Sequence, residues 1–239
     1  MNELQNYVPM VWDSPIRGHL LYRFRKPERM EFDKKYPLLL FFHGAGGRGN
    51  DNSRQLIDAE SISAFQKQNL FSNYSSHLIA GQVPENKKWV NVDWASLEHE
   101  IIPISSCMRM TFELVDTYIA ARENQVDLNR IYVMGISMGG YGTWDAIHRR
   151  PDFFAEAVPI CGGGDKTRGN TLSNIPIWSW HGVQDDIISV QRSRDMHIEI
   201  KTAGGFPKYT EIKGRGHDVW NDVWDSKKLW EWLYAQKKN

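Results

Sequence analysis

The 239-residue chain is short of cysteine, of net charge and of long apolar runs, and each shortage closes off a class of function. Its two cysteines, Cys107 and Cys161, lack metal-ligand spacing and are too few for a disulfide framework. Each reads as a small buried hydrophobe, with one bridge between them left open. Lys and Arg total 29 against 29 Asp and Glu. With no net field to draw it to nucleic acid, an anionic membrane or a polyanion, the chain is expected to have none of these as partners. No stretch reaches the roughly twenty apolar residues of a spanning helix. Met1 to Asp13 has neither the cationic start nor the apolar core of a signal peptide. The compartment stays open: cytoplasmic if the chain is complete, secreted or periplasmic if a leader has been removed. Oligomeric state is not legible.

What is present suits one α/β domain spanning residues 1–239, a length that buries a sizeable core. Ten tryptophans is a high count. Most read as packing, but aromatics outside a core often line pockets for sugars or aromatic groups.

The chain is organised around Ile131-Tyr132-Val133-Met134-Gly135-Ile136-Ser137-Met138-Gly139-Gly140. The first residues are strand-like, and Tyr141, Trp144, Ala146 and Ile147 beyond them fit one face of a helix. Gly135 to Gly139 is a G-x-S-x-G nucleophile elbow, in which small flanking residues let a strained strand-to-helix turn close. Ser137 then stands at a helix N-terminus, where backbone N–H groups favour a developing oxyanion. The alternative, a serine that merely caps a helix, leaves the rest of the pattern unexplained.

Before the elbow, Gly18 to Phe24 reads as an edge strand, Glu28 to Lys35 as a hairpin loop and Leu38 to Phe42 as a central strand. The loop His43 to Asn52 holds four glycines, so its backbone takes unusual angles or approaches something closely. In acyl transfer that something is the substrate oxygen. Leu56 to Phe71 has mixed helical character, and His77 to Ala80 is a short strand. The aromatic loop Trp89 to Trp94 follows that strand's C-terminal end, where α/β sheets bind ligands, so Trp89 or Trp94 is placed at the pocket. Ile104 to Asn124 has helical spacing. After the elbow helix come strands in Phe153–Ile160, Ile175–Trp180 and Lys208–Ile212, with helices at Val190–Ala203 and around Leu229–Leu233. This alternation predicts a mainly parallel central sheet with helices on both faces. The glycine run Gly162-Gly163-Gly164 lacks the residues of a phosphate loop.

A serine needs a base, and the base an orienting carboxylate. In α/β-hydrolase order these follow as Ser, Asp or Glu, then His, each in a loop after a strand. Ser137, Asp185 and His217 meet that order, with Asp186 open as an alternative acid. His43 and His181, each beside a glycine at a strand end, read as turn residues, and His148 as packing or surface. A metal site from His181, Asp185, Asp186, His217 and Asp218 lacks ligand spacing and leaves the elbow unexplained, so no metal is expected.

Leu40 to Asn52, Arg130 to Trp144, Val158 to Asp165, His181-Gly182-Val183-Gln184-Asp185 and Gly216 to Trp220 together resemble the α/β-hydrolase esterases of the phospholipase/carboxylesterase-like, or predicted peptidase, group. That group is related to dienelactone hydrolase and to feruloyl-esterase-like carbohydrate esterases. The likeness runs from about Tyr36 to the C-terminus. It implies Ser137 as nucleophile, Asp185 as acid, His217 as base, and the backbone N–H groups of Met138 and Ala45 as oxyanion hole, with Gly44 the alternate for Ala45. Two departures bear on the pocket: Ala80-Gly81-Gln82 stands where the group has Ala-Pro-Gln, and Ile188-Ser189 where it has Val-Pro. The resemblance implies a cofactor-free serine esterase working through an acyl-enzyme, on a small-molecule ester with a small acyl group or a feruloyl or acetyl group on carbohydrate. Trp89, Trp94 and Trp220 are the candidate substrate-binding residues. A serine peptidase or thioesterase on the same fold, or a non-catalytic carbohydrate-binding module, are the alternatives.

Overall fold

A computed structural model describes residues 3–16 and 18–238. Among these residues eight strands form one sheet: β1 (Val8–Ser14), β2 (Gly18–Arg25), β3 (Tyr36–Phe42), β4 (His77–Gln82), β5 (Val126–Ile136), β6 (Glu156–Ile160), β7 (Trp178–Gly182) and β8 (Lys208–Ile212). Their spatial order is β1-β2-β4-β3-β5-β6-β7-β8. Pairing from β4 through β8 is parallel, while β2 runs antiparallel to both β1 and β4. The helices are α1 (Arg54–Ile57), α2 (Ser61–Lys67), α3 (Leu70–Asn73), α4 (Ser106–Ala120), α5 (Met138–Arg149), α6 (Gln191–Thr202), α7 (Trp220–Trp224) and α8 (Lys227–Ala235). Among the described residues none is long and apolar enough to cross a membrane.

Every residue of β3 is buried, as its unbroken apolar run requires of a strand covered on both faces. Successive side chains then alternate between two cores. Leu38, Leu40 and Phe42 join Met108, Leu114, Trp144 and Met196 on one face. Leu39 and Phe41 join Phe65, Trp224, Trp230 and Leu233 on the other. Two helices start on serine caps: Ser105 Oγ accepts from the Met108 N–H at 3.0 Å, and Ser226 Oγ from the Leu229 N–H at 3.3 Å.

The sheet's first half departs from the sequence expectation. Gly18 to Phe24 is not an edge strand, because β1 pairs along its whole length and takes the edge. Residues 28–35 do not close a hairpin, because β4 lies between β2 and β3. Local sequence favours joining neighbours along the chain; the inserted β4 satisfies both β2 and β3, a choice made by long-range pairing. The order reverses between β3 and β5, since β4 lies on one side of β3 and β5 on the other. Ligands in open α/β sheets bind outside the strand C-termini at such a reversal. The His43 loop leaves β3 there, and Ser137 leaves β5.

Candidate active site

Ser137 sits at φ 54°, ψ −116°, between β5 and the first residue of α5. That backbone is strained for a non-glycine residue and is held by its surroundings, including the Ser137 N–H, which donates to Ile160 O at 2.8 Å. The turn closes only because its neighbours lack side chains: a Cβ on Gly135 would lie 2.6 Å from the Gly139 carbonyl carbon. The result is a serine hydroxyl held apart from its own helix, with no capping bond.

Two side chains from two other loops line up on it. Asp185 Oδ2 lies 2.7 Å from His217 Nδ1, and His217 Nε2 lies 2.8 Å from Ser137 Oγ. An ionised carboxylate only accepts, so Nδ1 carries the ring proton and Nε2 is free to accept from the serine hydroxyl. Asp185 turns after β7, with its Oδ1 accepting the N–H groups of Ile187 at 2.9 Å and Ile188 at 2.8 Å. Burial raises the Asp185 pKa, but hydrogen bonds from His181, His217 and Ile188 outweigh it and hold the carboxyl well below the usual carboxylate range. Asp186, the alternative acid, is exposed, and its neighbour makes the contact.

Met138 and Ala45 are each the first residue of a helical turn, so their N–H groups have no acceptor within that turn. Ala45 and Gly44 share with Ser137 and His217 a cavity of about 260 Å³, whose other walls include Trp94, Trp220, Ile136, Ile187 and Asp58. Trp220 also packs edge-on against the His217 ring, with centroids 5.4 Å apart at 90°. Trp94 is held from outside by the Lys88 ammonium, 4.5 Å from its ring centre.

Trp89 is not in the cavity, which corrects the sequence expectation. It is fully buried, with its Nε1–H donating to His43 O at 3.1 Å and its ring 4.6 Å from Phe42. Gly142 opens the space: a Cβ there would meet the Trp89 Cβ and Cγ at 3.0 Å. An indole inserted between strand and helix is core whatever loop it belongs to.

Of the histidines read as turn or packing residues, His43 and His148 are buried away from the serine, and His181 is bonded to the carboxyl of Asp185. His43 is buried, takes the Val83 N–H on Nε2 at 3.0 Å and faces Gly44 O through Nδ1 at 2.6 Å. His181 Nε2 lies 2.9 Å from Ile188 O and 3.1 Å from Asp185 Oδ2, so that nitrogen carries the proton and Nδ1 accepts from Ser193 Oγ at 2.7 Å. His148 is buried in α5. The five-residue metal set is not gathered as ligands: Asp186 and Asp218 are exposed. Cys161, His181 and Asp185 do bring ligand atoms within 4.8 Å of one another, but the His181 and Asp185 atoms are already engaged in the bonds just described. Sequence reasoning missed Asp58 and Ile187 as wall residues. No motif marks either, although Ile187 follows Asp185 by two positions.

The prolyl oligopeptidase family, by its sequence profile, matches residues 112–196. An uncharacterized secreted protein of Arthroderma benhamiae is 25% identical over 237 residues, covering 81% of this chain and 23% of that protein. A bifunctional acetylxylan esterase/xylanase of Neocallimastix patriciarum is 25% identical over 145 residues, 46% of this chain and 22% of its own. The crystal structure of a thermostable esterase superimposes with a TM-score of 0.90 at 30% identity, over 98% of this chain and 64% of that one. The chain therefore spans under a quarter of the length of the curated relatives it matches, and about two thirds of the esterase.

Proposed function

The chain is an α/β-hydrolase by fold, and from that premise we propose that it is a serine hydrolase cleaving small carboxylic esters through an acyl-enzyme. The observation that carries the proposal is the unbroken line from Asp185 through His217 to the Ser137 hydroxyl, both links under 2.9 Å. In this reading His217 Nε2 takes the serine proton as Oγ attacks the ester carbonyl. The Met138 and Ala45 N–H groups receive the oxyanion, and the imidazolium is stabilised by Asp185. His217 then protonates the leaving alkoxide. Water enters by the same route in reverse, giving its proton to Nε2 and releasing the acid.

The cavity favours a short or flat acyl group. Its volume of about 260 Å³ is walled by Trp94, Trp220, Ile136 and Ile187, which suits an acetyl or an aromatic feruloyl group on a carbohydrate alcohol. The likeness to an acetylxylan esterase/xylanase supports the same class. The match to the prolyl oligopeptidase family favours a second reading, a serine peptidase with the same residues in the same roles.

The test is turnover of nitrophenyl esters from acetate to octanoate, methyl ferulate, acetylated xylan and N-acyl peptide anilides, with Ser137→Ala in parallel. Ester turnover that Ser137→Ala abolishes supports the esterase. Anilide turnover without ester preference favours the peptidase. Tight carbohydrate binding with no turnover of any substrate would make the protein a binding module.

A further inference from the structure

One carboxyl group outside the Ser137–His217–Asp185 line borders the cavity: Asp58. It begins the single turn Asp58–Glu60 between α1 and α2. Its carboxyl lies flat against the loop that follows β3. A Cβ built on Gly44 would sit 2.8 Å from Asp58 Oδ2, and one on Gly46 would land on Oδ1. What these two glycines approach so closely is this carboxyl. The N–H groups of Gly44, Gly47 and Ala59 surround it, while Oδ2 is buried without a hydrogen bond of its own. Burial is the larger influence and raises the Asp58 pKa; the three N–H groups pull the other way.

The turn that delivers this carboxyl is strained and fixed. Ala59 and Glu60 are consecutive non-glycine residues in the left-handed region, at φ 52° and 55°. Such backbone persists where surrounding contacts over-determine it. Here Asp58 O accepts from Ser61 Oγ at 2.8 Å and Ala59 O from the buried Trp224 Nε1 at 2.9 Å.

We propose that Asp58 is a positioning residue: its carboxyl braces residues 44–47 and so fixes the Ala45 N–H as the second oxyanion donor. The inference rests on the reading of Ser137 as nucleophile. An oxyanion donor acts mainly in the transition state, so a loosened brace lowers kcat and leaves substrate affinity nearly unchanged. A carboxyl needed only for folding does not separate the two.

The experiment uses the full chain as wild type, Asp58→Ala, Asp58→Asn, Gly46→Ala and the Asp58→Ala/Gly46→Ala double variant. For each, kcat and KM are measured on a short nitrophenyl ester, with the Ki of a boronic acid that forms a tetrahedral adduct on Ser137. Asp58→Ala is expected to lower kcat about 10–100-fold and weaken the boronate in parallel, with KM within about threefold. Asp58→Asn, which keeps a carbonyl acceptor in place and puts its amide where Oδ2 has no bond to lose, retains about a third or more of kcat. Gly46→Ala alone falls like Asp58→Ala. In the Asp58→Ala background it costs less than about twofold, because its methyl enters the vacated space. A kcat for Asp58→Ala within twofold of wild type, or a double variant whose losses simply multiply, overturns the brace. If Asp58→Ala does not fold, an unaffected kcat in Gly46→Ala overturns it instead. A wild type that hydrolyses no ester and is not labelled at Ser137 by a fluorophosphonate overturns the nucleophile reading and the brace together; active wild type with indifferent variants overturns the brace alone.

Discussion

His181 Nε2 lies 3.1 Å from Asp185 Oδ2, the same oxygen that faces His217 at 2.7 Å. The acid proposed to orient the base is therefore itself held by a second, fully buried histidine, which is tied to Ile188 O and Ser193. Replacing His181 with Phe removes one donor from a charged acceptor, an interaction of roughly 1.5–3 kcal/mol. The expected outcome is a fall in ester kcat of about tenfold or more, measured by steady-state kinetics, with little change in KM.

The strained backbone at Ser137 makes a stability prediction. A non-glycine residue in such a conformation costs roughly 1–3 kcal/mol, more than the roughly 0.5–1 kcal/mol entropic cost of glycine. Ser137→Gly is expected to abolish ester turnover and to raise the melting temperature by roughly 2–4 °C, read by calorimetry. A melting temperature at or below that of the wild type would remove the strain argument.

Glu156 opens β6 with its side chain fully buried and neither carboxyl oxygen hydrogen-bonded. Burial raises its pKa well above the ordinary value, with Lys208 the only opposing charge of note. A raised folded-state pKa adds stability below the unfolded value, and that stability is lost as pH rises through the folded one. Glu156→Gln should therefore match the wild type near pH 4 and melt higher than it at pH 8. A thermal melt series across that range checks the divergence.

His43 shows the opposite sign. Its Nε2 must stay unprotonated to take the Val83 N–H, and burial, the largest effect, lowers its pKa to about 4. His148, buried with neither ring nitrogen bonded, is also lowered to about 4 by burial. Between pH 6.5 and about 4 the unfolded chain takes up protons that the folded one does not, so stability present above 6.5 is lost as pH falls. Each group contributes on the order of 3 kcal/mol across that window. Because Glu156 works in the opposite direction over the same range, the check is a difference between variants: the stability at pH 7 minus that at pH 4.5, from denaturant titration, should be smaller for His148→Gln than for the wild type.

Trp220 packs on the His217 ring and also walls the cavity. Trp220→Ala is expected to lower kcat a few-fold through the loosened imidazole and to erase any preference for aromatic acyl groups. Trp89→Ala, by contrast, should destabilise the protein by roughly 3–5 kcal/mol, the range for deleting a buried aromatic. Comparing the two variants by melting temperature and by acyl preference separates wall from core.

Sequence by itself determined what depends on short-range chemistry. The elbow was legible because Gly135 must leave room for the Gly139 backbone within one turn, and β3 because a strand buried on both faces must be apolar throughout; Gly139 itself answers to a distant element, since a Cβ there would meet the Phe42 backbone at the end of β3. The order Ser137, Asp185, His217 was legible because each follows a strand end. Tertiary structure decided what depends on distant partners. β1, with Pro9 and little alternation, is a strand only because β2 pairs with it residue by residue. Trp89 and Trp94 stand five residues apart in one loop, and it takes Gly81 on β4 and Gly142 on a helix far along the chain to make room for one in the core, while the other stays at the cavity wall. Asp185 and Asp186 carry the same charge on adjacent residues; His217 meets the one whose carboxyl the turn after β7 directs inward. Asp58 had no local signal at all, because the glycines its carboxyl lies against precede it by 12 and 14 positions and meet it only when the chain has folded back.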